Sequence, residues 1–193
     1  LDEYTRGLIA ERRSVPLDDL LTDLISAEEA GDKLSTEELV MMVEAVIVGG
    51  TDTTRNQLGL ALALFAEHPD QWELLRNDPS LAPRAVEEVM RYNGAVGGTI
   101  RFASEDIEYN GVLFPKGTFM STSMATGNFD AAVFPEPNTF NILRPPVGQP
   151  HLSLGAGIHY CLGASLARAE LQEAFTVLSE RMPQLRLDGP VEY

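Results

Sequence analysis

The chain has 193 residues, 44% of them apolar and 22% charged, the proportions of a folded globular protein rather than a disordered one. Its 29 acidic against 14 basic residues give a net charge of −15, which argues against nucleic acid or an anionic membrane as the main partner. The single cysteine, Cys161, excludes an internal disulfide and points to a reducing, cytoplasmic setting.

In chain order, the first half reads as helices. Residues 1–13 are amphipathic and polar, carry no signal-peptide pattern, and are interrupted by Pro16. Leu20, Leu21, Leu24 and Ile25 predict a second helix over 17–30, with Gly31 as its C-cap. Ser35 and Glu38 then spell a capping box. The helix it opens is long: Val43, Val46, Ile47, Gly50, Thr54, Leu58, Leu62 and Phe65 recur near the helical period until His68-Pro69 ends it. Its longest apolar run, 58–66, falls well short of the roughly 20 residues of a membrane span. Two further helices are predicted over 71–76 and 83–92.

The texture then changes. A glycine-rich loop over 94–98 leads to short strands at 99–103, 107–109 and 119–123, with turns at Asn110-Gly111 and 115–117. Residues 128–150 are rich in Pro and Asn and read as irregular coil, packed through Phe129, Val133, Phe134, Phe140 and Leu143. A last helix is predicted over 162–182, stopped by Pro183. The fold class is mainly α with small β-sheets, without internal repeats or low-complexity tracts.

Four features carry chemistry. The segment LGAGIHYCLG at 154–163 places Cys161 behind glycines at 155 and 157, at the start of a helix, with Gly163 just beyond. Helix N-terminal amides favour a thiolate, and the glycines let a flat ligand approach the backbone. One thiolate makes a poor zinc site but suits the axial position of a heme. Read alone, Cys161 fits an inert core thiol equally well. Second, the long helix holds GGTDTT at 49–54, where each glycine costs about 1 kcal/mol relative to Ala. Thr53 can bond back to the Gly49 carbonyl and bend the helix. An acid–alcohol groove for dioxygen and protons is one reading; a kink or a close helix contact is the other. Third, Glu88 and Arg91 share one helical face, as a surface bridge or a buried pair. Fourth, Arg101 and His159 suit the propionates of a heme, or are ordinary surface residues.

Taken together, in this order and spacing, the features resemble the cytochrome P-450 family of heme-thiolate monooxygenases. LGAGIHYCLG is similar to the heme-binding loop, GGTDTT to the oxygen-activating helix and EVMR to the Glu-x-x-Arg pair. TIRFASED at 99–106 resembles the strand that gives an arginine to a propionate. NFD at 128–130 and VFPEPNTF at 133–140 resemble the meander, and HLSLG with LGASLARAE has the spelling of soluble bacterial members.

The resemblance implies Cys161 as the ligand of heme b (iron protoporphyrin IX), with Gly155, Gly157, Gly163, Gly49, His159 and Arg101 around the cofactor. It implies dioxygen as co-substrate and Asp52 with Thr53 as proton donors. Met42, Val46, Ala95, Val96 and Thr99 are the expected contacts of a small hydrophobic organic substrate. A ferredoxin-type donor with its reductase is the expected electron source, drawn to bases such as Arg168 on the cysteine side. Complete members are much longer. The expectation is therefore a partial single domain over 1–193, the heme-bearing part, without an N-terminal half and a C-terminal hairpin.

Two departures stand out. Leu154 replaces the usual aromatic residue at the head of the cysteine loop. Thr139 stands where many members have an arginine that joins the Glu-x-x-Arg pair, leaving Arg144 as the substitute. Competing readings are a heme-binding or gas-sensing module, a hydrolase with Cys161 as nucleophile and His159 as base, and a fragment inactive when isolated.

Overall fold

A computed structural model describes residues 1–29 and 34–189; the predicted C-cap at Gly31 lies outside them. The chain divides into two compact units, residues 1–52 and 53–193.

The first unit holds α1 (Asp2–Ser14), α2 (Leu20–Glu29) and the opening of α3 (Thr36–Glu67). Helix α2 starts at Leu20 rather than Leu17, because the Asp19 carboxylate accepts the Thr22 N–H at 2.9 Å and caps it there. Ile9, Ile25, Leu39, Val40 and Val43 form the core of this unit. The capping box forms as the sequence predicts. Glu38 accepts the Ser35 N–H at 2.8 Å, and Ser35 Oγ accepts the Glu38 N–H at 3.3 Å.

The second unit takes the rest of α3, then α4 (Pro69–Asn77), α5 (Ala82–Tyr92) and, near the C-terminus, α7 (Ala164–Arg181). Phe65 sits at its centre. Its ring meets Trp72 at 5.0 Å, Phe175 at 5.4 Å and Phe140 at 5.5 Å, so α3, α4, α7 and the coil around 140 share one core. Trp72 Nε1 donates to the Met182 carbonyl at 2.9 Å and ties α4 to the end of α7. Helix α5 is the most strongly sided element, burying Ala85, Val86, Val89 and Met90 together with Glu88 and Arg91.

Two small antiparallel sheets lie between α5 and α7 in sequence. Strand β1 (Gly98–Phe102) pairs with β4 (Phe119–Ser123), with Ile100 opposite Ser121. Strand β2 (Ile107–Tyr109) forms a hairpin with β3 (Val112–Phe114), closed by Asn110 and Gly111, both at positive φ. Strand β3 was not expected. The same holds for α6 (Met124–Asn128), whose cap is Ser123 Oγ accepting the Thr126 N–H at 3.1 Å.

Beyond α6 the chain is irregular to Pro150, as expected. One packing assignment changes. Leu143 is exposed, and Ile142 is the residue that enters the core. A second correction concerns Cys161. Helix α7 begins at Ala164 rather than Leu162, so the cysteine lies one turn ahead of it, and its carbonyl accepts the Ala164 N–H at 3.2 Å.

Candidate functional site

The cysteine loop is built by its glycines. Gly155 and Gly157 both adopt positive φ, 73° and 67°, a region that costs an L side chain about 1–2 kcal/mol. They turn the chain into a short 3₁₀ segment, Gly157–His159, and deliver Cys161 to the surface. The Cys161 N–H donates to the Leu154 carbonyl at 2.9 Å, closing the loop across its base. Leu154 packs half-buried against the main core, so here the head of the loop serves as its anchor.

Two apolar residues of the cysteine loop are strongly exposed. Ile158 is 97% exposed and Leu162 75%. Gly163 has an ordinary φ, and a Cβ there would touch no atom of the described chain. Chain conformation therefore does not require glycine at 163; a close-lying ligand face would. An exposed sulfur, apolar neighbours and an open glycine face are the donor chemistry and shape that a heme needs. Among the described residues no group of three His, Cys, Asp or Glu gathers to hold a bare metal ion.

Gly49 to Thr54 lie inside an unbroken α3, so the unfavourable residues do not end the helix. Thr51 Oγ1 bonds back to the Ile47 carbonyl at 2.7 Å, the local back-bond that bends helices. A Cβ at Gly49 or Gly50 would also meet open space. Asp52 and Thr53 lie on the same exposed turn. Met42 and Val46 are half-buried on α3.

Arg101 is exposed on β1, its Nη1 donating to Thr99 Oγ1 and the Ile100 carbonyl, each at 2.7 Å. His159 is exposed in the cysteine loop. The loop before β1 is held by a residue that the sequence reading missed. Gln57 donates Nε2 to the Asn93 carbonyl at 2.9 Å and accepts the Ala95 N–H on Oε1 at 2.8 Å. This fixes the backbone at Ala95; Val96 beyond it is exposed and Thr99 half-buried.

The Glu88–Arg91 pair is buried, at 3% and 2% side-chain exposure. Two parallel bonds join them, Arg91 Nε to Oε2 at 2.8 Å and Nη2 to Oε1 at 2.9 Å. Arg144 completes the cluster through Nε to Glu88 Oε2 at 2.9 Å, and it also donates to the Thr139 carbonyl at 2.6 Å. The role expected of an arginine at 139 thus passes to Arg144. Arg91 Nη1 reaches the carbonyls of Asn128 and Pro137, both at 2.9 Å.

Asn128 transmits this order to the cysteine loop. Its Oδ1 accepts the Leu152 N–H at 2.6 Å, and its Nδ2 donates to Ser153 Oγ at 2.8 Å. Ser153 Oγ in turn donates to the Met90 carbonyl at 2.6 Å. A chain of bonds therefore runs from the buried ion cluster to the base of the loop that carries the sulfur. The sequence reads Asn128 only as the start of the irregular segment and of the NFD motif, with no signal for these bonds.

Arg168, named from charge as one of the few bases on the cysteine side, is half-buried and engaged within the chain. It forms two bonds to Glu87 and one to Tyr160 Oη at 2.9 Å.

The scaffold is α-rich with small sheets and presents one exposed cysteine on a glycine-turned loop. The sequence model described as Cytochrome P450 matches residues 1–181, and the chain belongs to that family. It is 44% identical over 186 residues to cytochrome P450 107B1 of Saccharopolyspora erythraea, covering 96% of this chain and 45% of that protein. It is 41% identical to the steroid C26-monooxygenase of Mycobacterium tuberculosis, covering 96% and 46%. Among solved structures, the ligand-free P450 monooxygenase TamI matches with a TM-score of 0.91 at 40% identity, over 98% of this chain and 46% of that one. The chain thus spans about half the length of these relatives. No helix among the described residues is long and apolar enough to cross a membrane.

Proposed function

We propose that this chain is the heme-bearing part of a monooxygenase that inserts oxygen into a small hydrophobic organic molecule. Cys161 Sγ, as thiolate, holds the iron of heme b, and Arg101 and His159 hold the propionates. Gly155, Gly157 and Gly163 keep side chains off the face that the porphyrin takes. When bound, heme supplies the electron transfer and oxygen activation that no amino-acid side chain provides. The Asp52 carboxyl takes up and releases the proton, and Thr53 Oγ1 passes it toward dioxygen. Gln57 holds the backbone at Ala95; Ala95, Val96 and Thr99 are contacts for substrate, and on α3 Met42 and Val46 are contacts in their own right. A ferredoxin-type protein with its reductase supplies the electrons.

The observation that carries this reading is the exposed Cys161, framed by Gly155 and Gly157 at positive φ and by an open Gly163. Relatives named as a steroid C26-monooxygenase and, in Nocardia uniformis, nocardicin C N-oxygenase favour turnover over gas sensing. The decisive experiment is an absorption spectrum of the reduced, carbon-monoxide-bound protein. A Soret band at the thiolate position is expected. Protein that stays colourless with added hemin overturns the reading.

A further inference from the structure

The sequence places two glutamates side by side on α5, and the structure gives them opposite partners. Glu88 turns into the buried cluster with Arg91 and Arg144. Glu87, one residue earlier and about 100° around the helix, faces the cysteine loop instead. Its carboxylate takes Arg168 of α7 in a two-pronged grip, Nε to Oε1 at 2.5 Å and Nη2 to Oε2 at 3.0 Å. Arg168 Nη1 is left over and donates to Tyr160 Oη at 2.9 Å, and Tyr160 directly precedes Cys161. The same carboxylate meets the loop's other end. His151 is buried, its Nδ1 accepts the Ser153 N–H at 3.2 Å, and its Nε2 stands 3.3 Å from Glu87 Oε2. That contact is a close polar approach rather than an aligned hydrogen bond.

One carboxylate therefore touches the residue that opens the loop and, through one guanidinium, the residue next to the sulfur. We infer that Glu87 is a positioning residue for Cys161, clamping both ends of the 151–161 loop to α5 through His151 and the Arg168–Tyr160 relay. The inference rests on Cys161 being the heme ligand. A bridge serving only to join α5 to α7 would need neither the His151 contact nor the bond to Tyr160. Outer-shell partners that orient a ligand typically matter about 10–100-fold in metal affinity, so the clamp has a measurable consequence.

The test uses heme-loaded protein and three variants: Glu87→Gln, Tyr160→Phe and the two combined. The quantity read is the rate at which the thiolate Soret band of the reduced, carbon-monoxide-bound form decays, in urea below the unfolding transition. Glu87→Gln is expected to speed decay about tenfold. Tyr160→Phe, which leaves the α5–α7 bridge intact, is expected to speed it several-fold. The double variant should match Glu87→Gln alone, because both changes cut one path. Decay at the wild-type rate in Tyr160→Phe, or independent additive effects, overturns the clamp and leaves Glu87 as a helix bridge. Should Glu87→Gln fail to fold, Tyr160→Phe alone decides. A wild-type protein without a thiolate band overturns the heme assignment and the clamp with it, a result distinct from an intact band that the variants leave unmoved.

Discussion

Single residues set the chemistry, and two of them make sharp predictions. Asp52 sits in the middle of α3, where Asp is a poor helix former. Its replacement by Asn preserves shape and removes the acid function. Asp52→Asn is expected to slow product formation about 100-fold, within the usual range for acid–base groups, with heme content unchanged. Turnover at the wild-type rate removes the proton-relay role. Arg91 shows the opposite logic, since its charge is buried and matters for order. Arg91→Ala leaves Glu88 buried with only Arg144 beside it and is expected to cost about 3–5 kcal/mol in urea unfolding. A loss below about 1 kcal/mol, the worth of an exposed pair, rejects the buried-cluster account. The Glu-x-x-Arg spacing was legible in the sequence, but its burial was not, because spacing places two side chains on one helix face without saying what covers that face.

Elements position these residues. Helix α7 and the loop before it are a unit: the Cys161 carbonyl receives the first helical amide, and Gly163 caps the helix. Gly163 stands at an ordinary φ and a Cβ there meets no atom of the described chain, so a side chain at 163 is expected to conflict with a bound porphyrin before it conflicts with the fold. Gly163→Leu is expected to keep the far-ultraviolet helical signal while weakening hemin uptake about tenfold or more, the effect of overpacking a ligand face by 1–3 kcal/mol, taken as about 1.4. Hemin titration followed by absorbance measures it, and unchanged uptake places the porphyrin elsewhere. Long periodic elements such as α3, and the capping box that opens it, were readable to within a residue or two. Short ones were read unevenly: β1, β2 and β4 were expected and β3 and α6 were not, because three to five residues hold too few side chains for a period to decide.

For the molecule, the ties between distant segments decide both stability and its dependence on pH. Glu87 joins α5, α7 and His151. Burial raises its pKa, but the contacts with His151 and Arg168 outweigh this and hold the carboxyl at about 2, against an ordinary 4.5. A depressed folded-state value means that the contribution is complete above about 4.5 and drains away as pH falls toward 2. Urea midpoints of the wild type are therefore expected to fall faster than those of Glu87→Gln across that interval, and parallel curves refute the assignment. Half of the Glu87 side chain's surroundings are solvent, which keeps the effect modest. What the sequence determined by itself was local: helix periods and caps, the glycines that must turn, and the ordered motifs that carry the resemblance. Each of these depends on neighbours a few residues away. The substitution of Arg144 for an arginine at 139, the tie from Asn128 to Leu152 and Ser153, and the division of labour between Glu87 and Glu88 were decided only by tertiary structure. They join residues tens of positions apart, and which partners meet is set by how the shared core around Phe65 packs the helices and coil together.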